Sequence, residues 1–165
     1  TSTSAQMAMG DALAICLLEL RGFSSADFAK YHPGGSLGKK LYLRVADIVV
    51  NNQKPQVDVN SSVKEVIVEI SEKMLGVTAV LKEGKVVGVV TDGDIRRMLS
   101  KYDNISGLTA QDIMTSNPKS VDVDTLAVKA LKKLQESGIS QLLAFEKGNY
   151  AGVVHIHNLI NEGIL

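Results

Sequence analysis

Gly88-Val89-Val90-Thr91-Asp92-Gly93-Asp94-Ile95-Arg96-Arg97 is the stretch on which the fold turns. An apolar run from Val86 to Val90 has the β-branched character of a buried strand. Thr91-Asp92-Gly93-Asp94 breaks it, and Ile95 to Leu99 leaves with helical spacing. Sixty-four residues later the outline returns as Gly152-Val153-Val154-His155-Ile156-His157-Asn158-Leu159-Ile160. Self-similarity at a fixed offset marks a repeated supersecondary unit. The chain therefore reads as two copies of one module behind a segment that belongs to neither.

Outward from that stretch the copies continue to align. Val57-Asp58-Val59 matches Val121-Asp122-Val123, Ile67 matches Leu131, Ile70 matches Leu134 and Gly84 matches Gly148. Ala46-Asp47-Ile48-Val49 parallels Gln111-Asp112-Ile113-Met114, and Pro55 parallels Pro118, at slightly shifted offsets that put length variation in loops. Each half predicts an extended Val-Asp-Val entry, a helix, two strands about a turn, and a closing helix. In the first half Ser61 or Ser62 caps a helix from Val63 to about Met74, and strands 77–81 and 85–90 flank Glu83-Gly84. In the second, Thr125 caps a helix from Leu126 to about Ser137, and strands 141–145 and 150–154 flank Lys147-Gly148. A half of about sixty residues is marginal as a folding unit, so pairing of the two sheets is expected to supply the missing burial.

Composition excludes several classes. Eighteen basic residues balance eighteen acidic ones, leaving no global field to attract nucleic acid or an anionic membrane. Trp is absent and the aromatics are three Phe and four Tyr, too few for a base-stacking platform. The lone Cys16 lies in an apolar helical pattern and is expected to be a buried, inert thiol. No disulfide framework is possible, which suits a reducing compartment. The longest apolar run, Ala5 to Leu20, carries Gln6, Asp11 and Glu19, and falls short of a membrane span. A cytoplasmic protein with neither membrane nor nucleic-acid partners is expected.

In the first segment, Thr1-Ser2-Thr3-Ser4 offers N-caps, Ala5 to Leu20 reads as helix, and Gly22 stands where a C-terminal glycine cap belongs. That helix is apolar nearly all round and should be buried, yet nothing else in the segment could cover it. The expectation is a chain that begins partway through a larger domain. Ser24 to Lys30 forms a short helix with Ser24 and Asp27 spaced as a capping box. His32 follows, beside the loop Pro33-Gly34-Gly35-Ser36-Leu37-Gly38. An imidazole so presented could act as a general acid or base, but spacing alone favours a linker whose His makes one hydrogen bond.

Ser2-Thr3-Ser4, Met9-Gly10-Asp11-Ala12-Leu13-Ala14, Arg21-Gly22-Phe23, Asp27-Phe28-Ala29 and His32-Pro33-Gly34-Gly35-Ser36-Leu37-Gly38 together resemble the end of a sugar isomerase (SIS) domain. The similarity is to the arabinose-5-phosphate isomerases of bacterial lipopolysaccharide and capsule synthesis. The resemblance implies that His32 is catalytic in the full-length enzyme, in aldose–ketose isomerisation of ribulose 5-phosphate to arabinose 5-phosphate. The family's catalytic Lys and Glu and its phosphate-binding Ser/Thr loop lie upstream of the matched phrases, so this stretch alone is expected to be inactive. The β-α-β-β-α order of the rest resembles a cystathionine-β-synthase (CBS) domain, two of which in tandem form a Bateman pair. The expected fold is thus α/β (α+β), with an SIS remnant at 1–43 and CBS domains at 44–106 and 107–165.

Within that resemblance, Gly88-x-x-Thr91-x-x-Asp94 fits the family's ribose-phosphate pattern. The Thr91 hydroxyl and backbone N–H groups around Gly93, at a helix N-terminus, can hold a phosphate. Asp94 can accept ribose hydroxyls, and Arg96 or Arg97 can add a charge-assisted phosphate contact. The same Thr-x-x-Asp spacing approximates a capping box, which needs no ligand. In the second copy His155 replaces Thr and Asn158 replaces Asp, and Asn lacks the charge that favours a ribose diol, so a normal second adenosine site is not expected. His155 and His157 make a weak metal case; no metal or cofactor is expected. They are either loop histidines touching a ligand phosphate or an adjacent isomerase domain, or satisfied structural imidazoles.

The implied role is regulation of a sugar-phosphate isomerase by a nucleotide or nucleotide-sugar, AMP/ATP-like or a CMP-sugar. The alternatives are a free-standing nucleotide sensor and a ligand-free oligomerisation module. A homo-oligomer is expected, a dimer of CBS pairs that becomes a tetramer in the full-length enzyme.

Overall fold

The computed structural model describes residues 2–164, which fall into two compact units divided between Tyr42 and Leu43. The first is helical, with α1 (Ser2–Leu20), α2 (Ser25–Tyr31) and α3 (Ser36–Tyr42). Thr1, one of the expected caps, lies outside the described residues; Ser2, Thr3 and Ser4 are already in the helix. α1 ends as expected, with the Gly22 N–H donating to the Glu19 carbonyl at 3.0 Å and the Phe23 N–H to Leu18 at 2.9 Å. No residue of α1 is buried, and Cys16 is exposed rather than buried. The apolar pattern asked for a cover that this segment does not contain. The Ser24–Asp27 capping box forms: the Asp27 N–H donates to Ser24 Oγ at 3.2 Å and the Ser24 N–H to Asp27 Oδ2 at 3.0 Å. The loop expected after His32 is shorter than the glycines suggest, because Ser36 already starts α3.

The second unit contains α4 (Val45–Val49), β1 (Gln56–Asp58), α5 (Val63–Lys73), β2 (Val77–Lys82), β3 (Lys85–Thr91) and α6 (Asp92–Lys101). It continues with α7 (Ala110–Ile113), β4 (Thr115–Ser116), β5 (Ser120–Asp122), α8 (Ala127–Ser137), β6 (Gln141–Glu146), β7 (Asn149–His155) and α9 (Ile156–Asn161). The repeat is carried through register by register. β1 pairs parallel with β2 and β5 parallel with β6, each across a helix, as a parallel connection requires. β2–β3 and β6–β7 are antiparallel hairpins, with a register shift at Val80/Leu81 in one and Ala144/Phe145 in the other.

The expected caps hold in the first half and fail in the second. Ser62 caps α5 in a capping box with Glu65. Thr125 does not cap α8; Leu126 is the N-cap and makes no side-chain bond. The backbone supplies the replacement: the Ala127 N–H donates to the Leu43 carbonyl at 2.8 Å, while the Thr125 carbonyl accepts from the Val45 N–H at 2.9 Å. Tertiary pairing with the entry to α4 does the work of a cap.

Those short entry helices are exchanged between the halves. Val45, Ile48 and Val49 of α4 pack in one core with Ala127, Leu131, Leu134, Leu142 and Val154 of the second half. Ala110 of α7 packs with Val66, Ile70, Val80 and Val90 of the first. Each exchanged segment crosses its host strand at a glycine. A Cβ on Gly88 would lie 2.7 Å from Met114 Sδ, and one on Gly152 would lie 2.8 Å from Val49 Cγ1. Gly152 also sits at φ 150°, a backbone region L side chains rarely adopt. A third core joins the sheets: Val77, Ala79 and Val89 from one half meet Leu143, Tyr150 and Val153 from the other.

Candidate functional site

Where β3 gives way to α6, Thr91 takes an extended conformation and becomes the N-cap. The cap fixes Asp94 three residues on. Asp94 Oδ2 accepts from the Thr91 N–H at 2.9 Å and the Thr91 hydroxyl at 2.6 Å. Its Oδ1 accepts from Arg97 Nη2 at 2.6 Å and from the Thr115 hydroxyl at 2.9 Å. Asp94 is 6% exposed, one of the few buried charged or polar residues among those described. Burial pushes its carboxyl pKa up, but the bonds from Thr91, then Arg97 and Thr115, outweigh this and hold it below the ordinary carboxylate value.

A cleft of about 290 Å³ opens beside this carboxylate, near the small end of the range for small-molecule sites. One wall is Val77, Val89, Thr91, Asp94 and Arg97 from the first half; Ile139, Gln141 and Leu143 from the second half face it, with Thr115, Asn117, Pro118 and Lys119 from the connection. The arrangement offers apolar walls for a flat ring, an acid for hydroxyl donors, and two cations for an anionic group. Gln141 is anchored by Nε2, which donates to the Leu75 carbonyl at 3.1 Å.

Of the residues singled out in the sequence, Thr91, Asp94 and Arg97 line this cleft. Gly93 is adjacent, 3.4 Å in Cβ terms from both Arg97 Nη1 and Thr91 Oγ1. Arg96 is directed elsewhere, its Nε donating to the Asp92 carbonyl one turn back at 3.3 Å. His155, His157 and Asn158 occupy the equivalent turn of the second half, and none of them lines the cleft. There His155 Nδ1 accepts from the His157 N–H at 3.1 Å, and the two rings stand edge to face 4.8 Å apart. Burial, and then the nearby His157, lower the His155 pKa from its ordinary value. Asn158 Oδ1 accepts from the His155 N–H at 3.1 Å and from Asn52 Nδ2 at 3.0 Å, and Asn158 Nδ2 donates back to Asn52 Oδ1 at 3.3 Å. Asn52 Nδ2 also reaches the Val153 carbonyl at 2.8 Å. Where the first half holds a charged carboxylate, the second holds an amide clasp.

His32, in the other unit, is exposed, with its ring 4.7 Å from that of Phe28. Among the described residues no group of three or more His, Cys, Asp or Glu is placed to hold a metal ion, and no helix is long and apolar enough to cross a membrane.

Thr115, Lys119, Gln141 and Asn52 escaped the sequence reading. The pairing of Pro55 with Pro118 was the one available signal, since it marks the connections as equivalent; no local spacing links Thr115 to Asp94.

Known proteins place this geometry in context. The CBS domain model matches residues 45–101 and 110–164. Arabinose 5-phosphate isomerase KdsD of Salmonella typhi is 40% identical over 167 residues, covering all of this chain and 51% of that protein. The chain thus spans about half the length of the curated relatives it matches. A CBS domain protein from Pyrobaculum aerophilum, solved in complex with AMP, superposes with a TM-score of 0.63 at 21% identity, covering 70% of this chain and 89% of that one. The CBS domain of a bacterial CNNM/CorC family Mg2+ transporter, solved with ATP, gives 0.61 at 20% identity, covering 76% of this chain and 89% of that one. At these identities the two structures speak to the fold alone.

Proposed function

The chain belongs to the CBS domain family, and on that premise we propose that the cleft beside Asp94 is the nucleotide site of a regulatory CBS pair serving a sugar-phosphate isomerase. One observation carries the ligand: a buried, ionised carboxylate at a cleft whose walls come from both halves and which Arg97 and Lys119 also line. The acid suits a ribose diol, the cations a phosphate. That proteins of this fold have been solved with AMP and with ATP supports the reading.

The isomerase assignment draws on the KdsD similarity, which runs through residues 2–42 as well as the pair. The bare apolar surface of α1 is consistent with a helix whose partners belong to a catalytic domain. In that full-length enzyme His32 would take part in aldose–ketose isomerisation of a sugar phosphate. A ligand that regulates it must bind two states of the enzyme unequally, and a CMP-activated sugar made further along the same synthesis is a candidate beside adenine nucleotides.

A second reading has its own support. Asp94 already accepts four hydrogen bonds, as many as a carboxylate has lone-pair positions. On that reading it is a tie holding α6 to β4. Calorimetry and thermal melting with AMP, ATP and a CMP-sugar separate the two. The nucleotide reading expects saturable heat and a raised melting temperature from at least one, lost in Asp94→Asn. The structural reading expects no heat with any of them and a lowered melting temperature in the variant.

A further inference from the structure

Resting on the nucleotide reading of this cleft, we infer that Arg97 is its specificity-determining residue: a charge latch on Asp94 that admits phosphate-bearing ligands and discriminates against the corresponding phosphate-free nucleosides. The four acceptor positions on Asp94 are filled, so a ribose hydroxyl can reach the carboxylate only by displacing one of four donors. Two of these come from Thr91, whose N–H and hydroxyl donate to Oδ2 while its hydroxyl oxygen accepts from the Asp94 N–H, the capping box that starts α6. A third is the Thr115 hydroxyl, on a strand whose backbone is paired to Val89. The fourth is the Arg97 guanidinium, on a long side chain that is 72% exposed and, among the described residues, bonded to Asp94 alone. Arg97 is the donor on a long, exposed side chain, and the one whose charge a ligand anion can take over.

What it leaves for decides the selectivity. Arg97 lines the cleft, so a phosphate on the incoming ligand gives the displaced guanidinium a second anion, and one charge-assisted bond replaces another. A nucleoside brings only the diol. The guanidinium then gives up its carboxylate for water, and Asp94 loses its neighbouring cation as it becomes more deeply covered. The exchange is close to neutral in the first case and unfavourable in the second.

The test is a pair of calorimetric titrations, AMP and adenosine, on the wild-type chain and on Arg97→Met, with Arg97→Lys as a second variant that retains the charge. Arg97→Met takes a cation from a buried carboxylate and should lower the melting temperature, whereas Arg97→Lys keeps the charge and should melt nearer the wild type, so binding is read well below both transitions. In Arg97→Met, AMP should bind about tenfold more weakly and adenosine several-fold more tightly, opposite in sign, because the substitution removes both the phosphate contact and the competitor for Asp94. Arg97→Lys should keep most of the preference for AMP. If AMP binds the wild type but Arg97→Met shifts both ligands in the same direction, or neither, the latch is wrong and the cleft assignment stands. If the wild type binds neither AMP nor adenosine while binding no other nucleotide, the cleft assignment fails and the latch with it.

Discussion

Asp94 has four donors for one buried carboxylate, and the balance sets its pKa. Its pKa in the folded chain lies below the ordinary 3.8. The unfolded chain therefore takes up a proton first as acid is added. The stability that Asp94 contributes is complete above about pH 4 and disappears as pH falls through the folded value. Asp94→Asn should cost about 1–3 kcal/mol in urea unfolding at pH 7, and its stability should fall less steeply than the wild type's below pH 4. Equal steepness in both would mean the carboxylate is not tied as described. The Thr91–Asp94 link was legible because a cap and its carboxylate lie three residues apart. Thr115 on Asp94 and Asn52 on Asn158 were not, since neither contact leaves a mark on local spacing. Cys16 shows the converse limit: an apolar pattern states what a face would bury against, not that the partner is at hand.

At the scale of elements, strands, hairpins and the main helix of each half follow from β-branched runs, turn pairs and Ser62 with its Glu65. What periodicity missed is the exchange of α4 and α7 between halves, and the replacement of a Thr125 cap by the Leu43 carbonyl. Short helices of four or five residues carry too little pattern to announce a host. The repeated glycine of the motif, which reads in sequence as part of a phosphate pattern, has a steric role: it lets the exchanged segment lie against the strand. Gly152→Ala would press a Cβ into Val49 at a φ unsuited to Ala, and should destabilise the chain by roughly 2–3 kcal/mol. A thermal melt reads it. A melting temperature within a degree of wild type would show that α4 yields at no cost.

At the scale of the molecule, the two halves depend on each other through the core that joins Val77, Ala79 and Val89 to Leu143, Tyr150 and Val153. The Tyr150 hydroxyl reinforces it by donating to the Pro55 carbonyl at 2.8 Å across the repeat. The duplicated architecture was legible from the 64-residue offset; the proposed division of labour, one ligand site in the first copy, rests on Asn158 in place of an acid and on its clasp with Asn52. A crystal structure of this chain with AMP tests that claim most directly. One AMP per chain should lie in the cleft, with a ribose hydroxyl on the Asp94 carboxylate in the position Arg97 vacates, the Arg97 guanidinium moved to the phosphate, and the Asn52–Asn158 clasp intact. AMP seated at Asn158 with the clasp opened, or a cleft still without AMP at saturating concentration and Asp94 keeping its four bonds, would contradict it.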